Sequence, residues 1–195
     1  MEQKPKRTRI YSRRGDLGET SLLFGPRVGK DHRRIELLGV LDELNAQLGC
    51  ARSLEIDSSV NSVLKRVQLA LYLVCVEVST IEPAKLQVRR IRDEDVKAVE
   101  RAIDFWDVKL EPTRVFILPS GSRASTAINL ARAVCRRAER RACALLRFDS
   151  SFSPKVGAWL NRVGDLLFVL ARYENFRLDI PEEKISDFSE VVEFI

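Results

Sequence analysis

The chain has 195 residues, 45% of them hydrophobic and 31% charged, with a formal charge of +5 and a pI near 9.2, long enough for one domain to bury a sizeable core without disulfide or metal staples. No stretch approaches the roughly 18 uninterrupted apolar residues of a membrane helix, and no apolar run follows the basic N-terminus as a signal peptide requires, so the expectation is a soluble, cytoplasmic, single-domain protein. The basic balance suits an anionic partner, whether nucleotide, nucleic acid or acidic surface, without choosing among them.

In chain order, residues 1–30 lack sustained periodicity, are basic, and carry Gly15, Gly18, Gly25, Pro26 and Gly29. They read as a loop that orders on binding or as a mobile arm. Leu37, Leu41, Leu44 and Leu48 then recur at helical steps, predicting an amphipathic helix from a cap at Asp31 to about Ser53. Asp57 or Ser58 caps a second helix to about Thr80, with Pro83 just past its end. A third runs from Asp93 to Leu110, its acidic first turn complementing the helix dipole. Pro112 separates it from Val115, Phe116 and Ile117, a brief extended segment before the Pro119-Ser120-Gly121 turn. Ser122 begins a fourth helix to about Phe148, and Pro154 opens a fifth ending between Phe176 and Pro181. Short connections between long amphipathic helices predict an all-α, up-and-down five-helix bundle, with residues 1–30 as a loop, 31–178 as the bundle and 179–195 as a tail. Cys50, Cys75, Cys135 and Cys143 lie in helical apolar patterns without a CxxC pair and read as reduced core thiols.

Three helix faces carry candidate chemistry. On the fourth helix, stepping about 100° per residue, Ala131, Val134, Cys135, Ala138, Ala142 and Leu145 face the core, while Arg132, Arg136, Glu139 and Arg140 gather on another side. Arginines four apart repel by roughly 0.2–0.5 kcal/mol per pair, which Glu139, three steps from Arg136, offsets only in part. The stripe is either a solvated seam or a site for an external anion. On the fifth helix Val163, Leu166, Leu167 and Leu170 form the core side, opposite Asn161, Asp165, Phe168 and Arg172. An aromatic in that polar stripe is either a scattered exposed Phe or the mark of a face covered by a ligand or subunit. The first helix has a second side of Ile35, Leu38, Gly39, Asp42, Asn45, Ala46 and Gly49, where two glycines, each costing about 1 kcal/mol against Ala, imply close packing on a partner element. Asp42 there needs a cation, which the arginine stripe, through Arg132, supplies in an assembly.

Gly25 to Lys30 fails as a Walker A loop, with three residues between the glycines and Asp31 after the lysine. Ser12 to Ser21, with Arg13, Arg14, Gly15, Asp16, Gly18, Glu19 and Thr20, can bind phosphate through hydroxyls, arginines and open backbone, or can be an ordinary basic turn.

Three blocks in order, Thr8-Arg9-Ile10-Tyr11 through Ser21 with Lys30-Asp31 and Val40 to Asn45, Phe116 to Gly121 with Arg132 to Arg141, and Leu160 to Phe168, resemble the PduO-type ATP:corrinoid adenosyltransferases over residues 8 to about 175. The resemblance implies a homotrimer of five-helix, ferritin-like bundles, with MgATP between subunits and a corrinoid as the second substrate. By similarity, Thr8, Arg9, Tyr11, Ser12, Arg13, Gly15, Asp16, Gly18, Thr20, Ser21, Lys30, Arg136, Arg137, Glu139 and Asn161 bind ATP. Arg132, Arg136, Glu139 and Asp165 are the catalytic set, Phe116 and Phe168 border the corrin, and Arg132 pairs with Asp42 across the subunit boundary. Mg²⁺ travels with ATP, near Glu139, without a protein cage. A flavoprotein reductase and an adenosylcobalamin-dependent enzyme are the further partners implied, and neither nucleic acid nor membrane is expected. Ser12, Leu38, Ser120 and Gly164 depart from the family's usual residues, differences of packing and backbone freedom more than of charge. His32 reads as a helix-start residue, not a base. The rival readings are a basic bundle that binds nucleic acid, against which the interleaved Glu139 and Asp165 weigh, and a scaffold or regulator that holds ATP without turning it over.

Overall fold

The computed structural model describes residues 10–86 and 88–185. Among them are five α-helices: α1 (Arg33–Arg52), α2 (Ser58–Ser79), α3 (Asp93–Asp107), α4 (Arg123–Leu146) and α5 (Pro154–Phe176). Four short strands form two antiparallel pairs: β1 (Glu19–Ser21) with β2 (Arg27–Gly29), and β3 (Phe116–Ile117) with β4 (Lys184–Ile185).

The helices begin where short polar side chains can take up orphan backbone donors. Asp57, Ser122 and Ser153 cap α2, α4 and α5 through their side-chain oxygens, as their positions predict. The cap of α1 is His32, whose Nδ1 accepts from the Arg34 N–H at 3.2 Å. Asp31, the cap that the sequence pattern favours, is not used: its carboxylate lies beside Gly29, where a Cβ would collide with it. Helix α3 starts from Arg92, whose N–H donates to the Asp95 side chain at 2.9 Å, and it ends three residues short of Leu110 in a turn closed by Leu110 N–H to Asp107 O.

Cross-helix bonds fix the directions. Arg52 at the end of α1 reaches Asn61 and Gln68 early in α2, Arg137 and Arg141 of α4 reach Glu43 and Glu36 of α1, and Glu139 meets Asn161 of α5. Each of these pairs is antiparallel, whereas Asp93 with Lys155 and Glu100 with Arg162 set α3 parallel to α5. The result is the up-and-down bundle that short connections favour. Its core takes the predicted leucine side of α1, the Ala-Val-Cys side of α4 and the Val-Leu side of α5, all buried. Helix α2 is long and apolar enough to cross a membrane by length and composition, yet its Leu64, Leu71, Val74 and Val78 are buried in this core. Of the four thiols only Cys135 is fully buried. Cys75 is half-buried, and Cys50 and Cys143 are exposed because they fall off the apolar stripes of α1 and α4, so the expectation of four core thiols is corrected.

Two buried polar knots hold the ends. At one, Arg34, 1% exposed, donates from Nη1 to Val78 O and Thr80 O and from Nη2 to Asp149 and Ser151, joining α1, α2 and the α4–α5 turn. Glu77 extends the knot, accepting from Arg90 and from the Ile91 N–H. At the other, Asn175 donates to Ser120 O at 3.0 Å and accepts from the Ser122 N–H at 2.9 Å. Gly121 between them has φ +99°, and any side chain there would run into Asn175, so glycine alone fits the turn that launches α4.

Candidate functional site

The N-terminal segment, expected as a loop, contains a β-hairpin in its described part. Lys30 N–H donates to Gly18 O at 2.8 Å, and the Arg27 guanidinium donates to Arg14 O at 2.7 Å and pairs with Glu19. The Lys30 ammonium lies against Gly15, where a Cβ would meet it at 3.3 Å. Arg13 holds a left-handed φ of 60°, a conformation that costs a non-glycine residue energy and is found where a local geometry is enforced. Glycines, hydroxyls and cations of residues 11–21 and Lys30 are thus gathered into one exposed structure. It docks on the bundle through buried Leu22, through a bridge from Leu23 to Thr80, and through Gly25 against Ile81. Thr8 and Arg9 lie outside the described residues.

The second set of candidates lies on the α4–α5 face. The antiparallel packing stacks Arg132, Arg136 and Glu139 of α4 beside Phe168, Gly164 and Asn161 of α5. Asn161 Nδ2 donates to Glu139 Oε1 at 2.9 Å, and Asn161 Oδ1 accepts from Arg162, which also pairs with Glu100. Asn161 is therefore a bridge, oriented from both ends, and Glu139 is held by it instead of by the expected Arg136. Arg136 lies over Gly164, whose hypothetical Cβ would be 3.7 Å from the arginine Cγ, an ordinary contact. Its guanidinium is in an exposed residue and makes no ion pair among the described residues, leaving it available to an external anion. Arg137, expected at ATP, is paired with Glu43 of α1 in the single chain.

Burial, then the neighbouring Arg136, depresses the Arg132 guanidinium below its usual value, with Asp165 opposing. Burial pushes the Cys135 thiol up to about 12, with Glu139 and Asp165 adding to it and Arg136 opposing. These effects record one electrostatic cluster of two arginines and two carboxylates. Phe168, which reads in the sequence as an aromatic stranded in a polar stripe, has a partner on each side: the Arg132 and Arg172 guanidinium carbons each lie 5.7 Å from its ring centroid. Two shallow grooves flank the cluster. One of about 340 Å³ is lined by Arg136, Glu139, Arg140, Cys143, Ala144 and Arg147, and the other, about 310 Å³, runs from Glu139 and Cys143 to Asn161 and Arg162. Three arginines with a carboxylate and an amide between them fit a polyphosphate better than a track of duplex phosphates. Among the described residues no cluster of three or more His, Cys, Asp or Glu could hold a metal by itself.

Within one chain the hairpin sits on the α1–α2 end, and its described docking contacts go to Thr80 and Ile81. Asp42 and Arg132 are apart. Asp42 is exposed on α1 and, after burial, raises the Cys75 thiol of α2 to about 11, whereas Arg132 is hydrogen-bonded to Asn129 at 3.2 Å on the α5 side of α4. Phe116 stands on β3, 71% exposed, at the far end of the bundle from the hairpin. Sequence reasoning missed Arg162, Arg147 and the buried role of Arg172. Arg147 could have been found, being in helical phase with Arg136 and Arg140, but the others are defined by partners remote in sequence.

A family model for cobalamin adenosyltransferase matches residues 10–174. The chain is 38% identical over 167 residues to the corrinoid adenosyltransferase PduO of Salmonella typhimurium, covering 85% of this chain and 49% of that protein. It is 35% identical over 194 residues to the corrinoid adenosyltransferase MMAB of Bos taurus, covering 95% of this chain and 80% of that one. It thus spans about half the length of the PduO relatives. A variant PduO-type ATP:corrinoid adenosyltransferase from Lactobacillus reuteri, complexed with cobalamin and ATP, is similar with a TM-score of 0.86 and 27% identity, covering 92% of this chain and 97% of that one.

Proposed function

The chain belongs to the cobalamin adenosyltransferase family, and from that premise we propose that it transfers the 5′-deoxyadenosyl group of ATP to the Co(I) of a corrinoid, releasing triphosphate. The observation that carries the reading is the Arg132, Arg136, Glu139 and Asn161 cluster, with an unpaired arginine and pre-oriented polar partners on an open groove. The electron pair of Co(I) attacks C5′, the cobalt–carbon bond forms as the C5′–oxygen bond breaks, and the released pair stays on the triphosphate. No protein nucleophile is required, so the chain's task is to align the reactants and to stabilise the departing charge.

In this reading Arg136 binds phosphate, and Glu139 and Asn161 fix the nucleotide. Arg132 and Asp165 complete the field around the reacting centre. Glu139 and Asp165 would hold Mg²⁺ brought in on the triphosphate, where its chemistry is charge neutralisation at the leaving oxygens. Residues 8–21 and Lys30 wrap ATP from a neighbouring subunit. The assembly is a homotrimer in which Asp42 of one copy pairs with Arg132 of the next. Phe116 and Phe168 border the corrin, where Phe116 displaces the lower axial ligand and so eases reduction of Co(II). A flavoprotein reductase delivers the electron, an adenosylcobalamin-dependent enzyme receives the product, and the setting is the cytoplasm.

The test is direct: strictly reduced corrinoid and MgATP are mixed with the protein, and cobalt–carbon product and triphosphate are followed together. Their joint absence under full reduction overturns the reading.

A further inference from the structure

Arg172 is the most heavily engaged cation on α5, and no step of the transfer uses it. It is 6% exposed, and its guanidinium donates from Nε to Glu182 Oε1 at 2.6 Å and from Nη2 to Glu111 O at 2.7 Å. Asp107 at the end of α3 lies 3.9 Å from Nη1, and the Phe168 ring centroid lies 5.7 Å from the guanidinium carbon. Glu111 leads into the strand that carries Phe116, and Glu182 leads into β4, its pairing partner. Phe116 pairs with Ile185 and Ile117 with Lys184, and the Leu118 N–H donates to Glu183 O at 2.9 Å.

A two-stranded ribbon with two residues in each strand is not stable on its own. Its geometry has to come from what fixes its ends. The chain leaving β3 is fixed by Asn175, which bonds Ser120 and Ser122, and the segments leading into β3 and β4 are fixed by Arg172. A small cavity behind the ribbon is lined by Ile117, Arg132, Phe168, Arg172 and Glu182 among others, so the clamp shares one wall with Phe168 and with Ile117, the strand neighbour of Phe116. The ion pair is largely desolvated, with side chains 7% and 15% exposed. The rigid planar guanidinium aims its donors at the carboxylate and the carbonyl in fixed directions, which the rotatable ammonium of Lys does not reproduce.

We propose that Arg172, through Glu182 and the Glu111 carbonyl, is the positioning residue that sets Phe116 and Phe168 against the corrinoid, making residues 181–185 part of the corrinoid site and not of the ATP site. The inference rests on the adenosyltransferase reading above. Arg172 touches neither substrate. It acts by holding the ribbon, and a shift of the platform of about 1 Å is enough to cost a large factor in a reaction that depends on alignment.

The experiment uses Arg172→Lys, and Glu182→Gln as the milder variant should the first fold poorly. Without substrates, amide hydrogen exchange at Leu118 is expected to speed up in both variants while the α4 core amides stay protected. Unchanged exchange at Leu118 removes the clamp whatever the protein's activity. With substrates, KM for the corrinoid is expected to rise about tenfold, KM for ATP to stay within about twofold, and the four-coordinate Co(II) signal formed with ATP to fall. Equal rises in both KM values, or an unaltered Co(II) spectrum, overturn the positioning role. A wild-type chain that makes no product, with Leu118 exchange nevertheless responding to the variants, refutes the adenosyltransferase reading and leaves the clamp intact.

Discussion

Arg34 and Asp149, 115 positions apart, meet at 2.6 Å, and the same guanidinium donates to the last carbonyls of α2. This arginine replaces apolar packing at the end of the bundle on which the N-terminal hairpin sits. Arg34→Ala leaves two carbonyls without their arginine donor and the Asp149 carboxylate with only its Ser151 bonds, and removing one partner of a buried pair costs about 3–5 kcal/mol. Thermal unfolding should show a drop of roughly 6–12 °C in Tm for the lower figure, and a change under about 2 °C would deny the knot its role.

The same pair sets an acid sensitivity. Burial alone would raise the Asp149 carboxyl, but bonds from Ser151 and Arg34 outweigh it and hold it below the usual aspartate range. A depressed folded value means stability that is present above the unfolded value of about 3.9 and is lost as pH falls through the folded one. Asp149→Asn should therefore be less stable than wild type near neutrality, with the gap closing as pH drops below about 4. Denaturant titrations across that window check the sign, and a gap independent of pH contradicts it.

Arg136 is exposed and spends no ion pair within the described residues of its own chain. Arg136→Ala is expected to change unfolding free energy by no more than about 0.5 kcal/mol while lowering kcat/KM by about a hundredfold or more. Steady-state kinetics beside a melting curve separates this from a structural role, since a variant that melts early and keeps its activity assigns Arg136 to the fold.

A Cβ at Gly39 meets nothing within 4 Å in the single chain, although its helix-interior position costs stability relative to Ala. On an isolated subunit Gly39→Ala should therefore stabilise by about 1 kcal/mol. If α1 lies against another copy, as proposed with Asp42, a larger Gly39→Leu change should weaken the trimer. Sedimentation velocity reads the outcome, and an unaffected oligomer of the Gly39→Leu variant moves the interface off this face.

Cys143 is exposed and lines both grooves beside Glu139, whereas Cys135 on the same helix is buried with its thiol pushed to about 12. Alkylation at mild alkaline pH should label Cys50 and Cys143 and spare Cys135 until unfolding. MgATP should slow labelling at Cys143 and leave Cys50 unchanged. Equal protection of both, or of neither, places the nucleotide elsewhere.

Much of the bundle is legible in the sequence because its determinants are local. The leucine steps of α1, the caps at Asp57, Ser122 and Ser153, and Pro154 at the head of α5 act within one or two turns, and the helix bounds follow to within about three residues. The α1 cap falls one position from where the pattern puts it because Asp31 and His32 can both accept, and in the folded chain the Asp31 carboxylate lies beside Gly29 while His32 takes the Arg34 N–H. The α4–α5 candidates Arg132, Arg136, Glu139 and Asn161 are legible as stripes, since a helix presents one side to a neighbour at a fixed period. Their bonds to one another are not.

The sequence by itself determined where the chain is helical, which side of each helix is apolar, and which residues form the arginine face and the glycine-rich basic segment. Periodicity reports that a position faces inward but not what meets it there. Arg34, in phase with Leu37 and Leu41, and Arg172, in phase with Asp165 and Phe168, could each have been a surface charge or a buried clamp. The tertiary structure decided that both are buried, that residues 184–185 complete the strand of Phe116, and that the hairpin docks on the bundle at Thr80 and Ile81. A desolvated charge survives only where folding delivers its partners, and those partners come from segments the chain brings together only once the helices have packed.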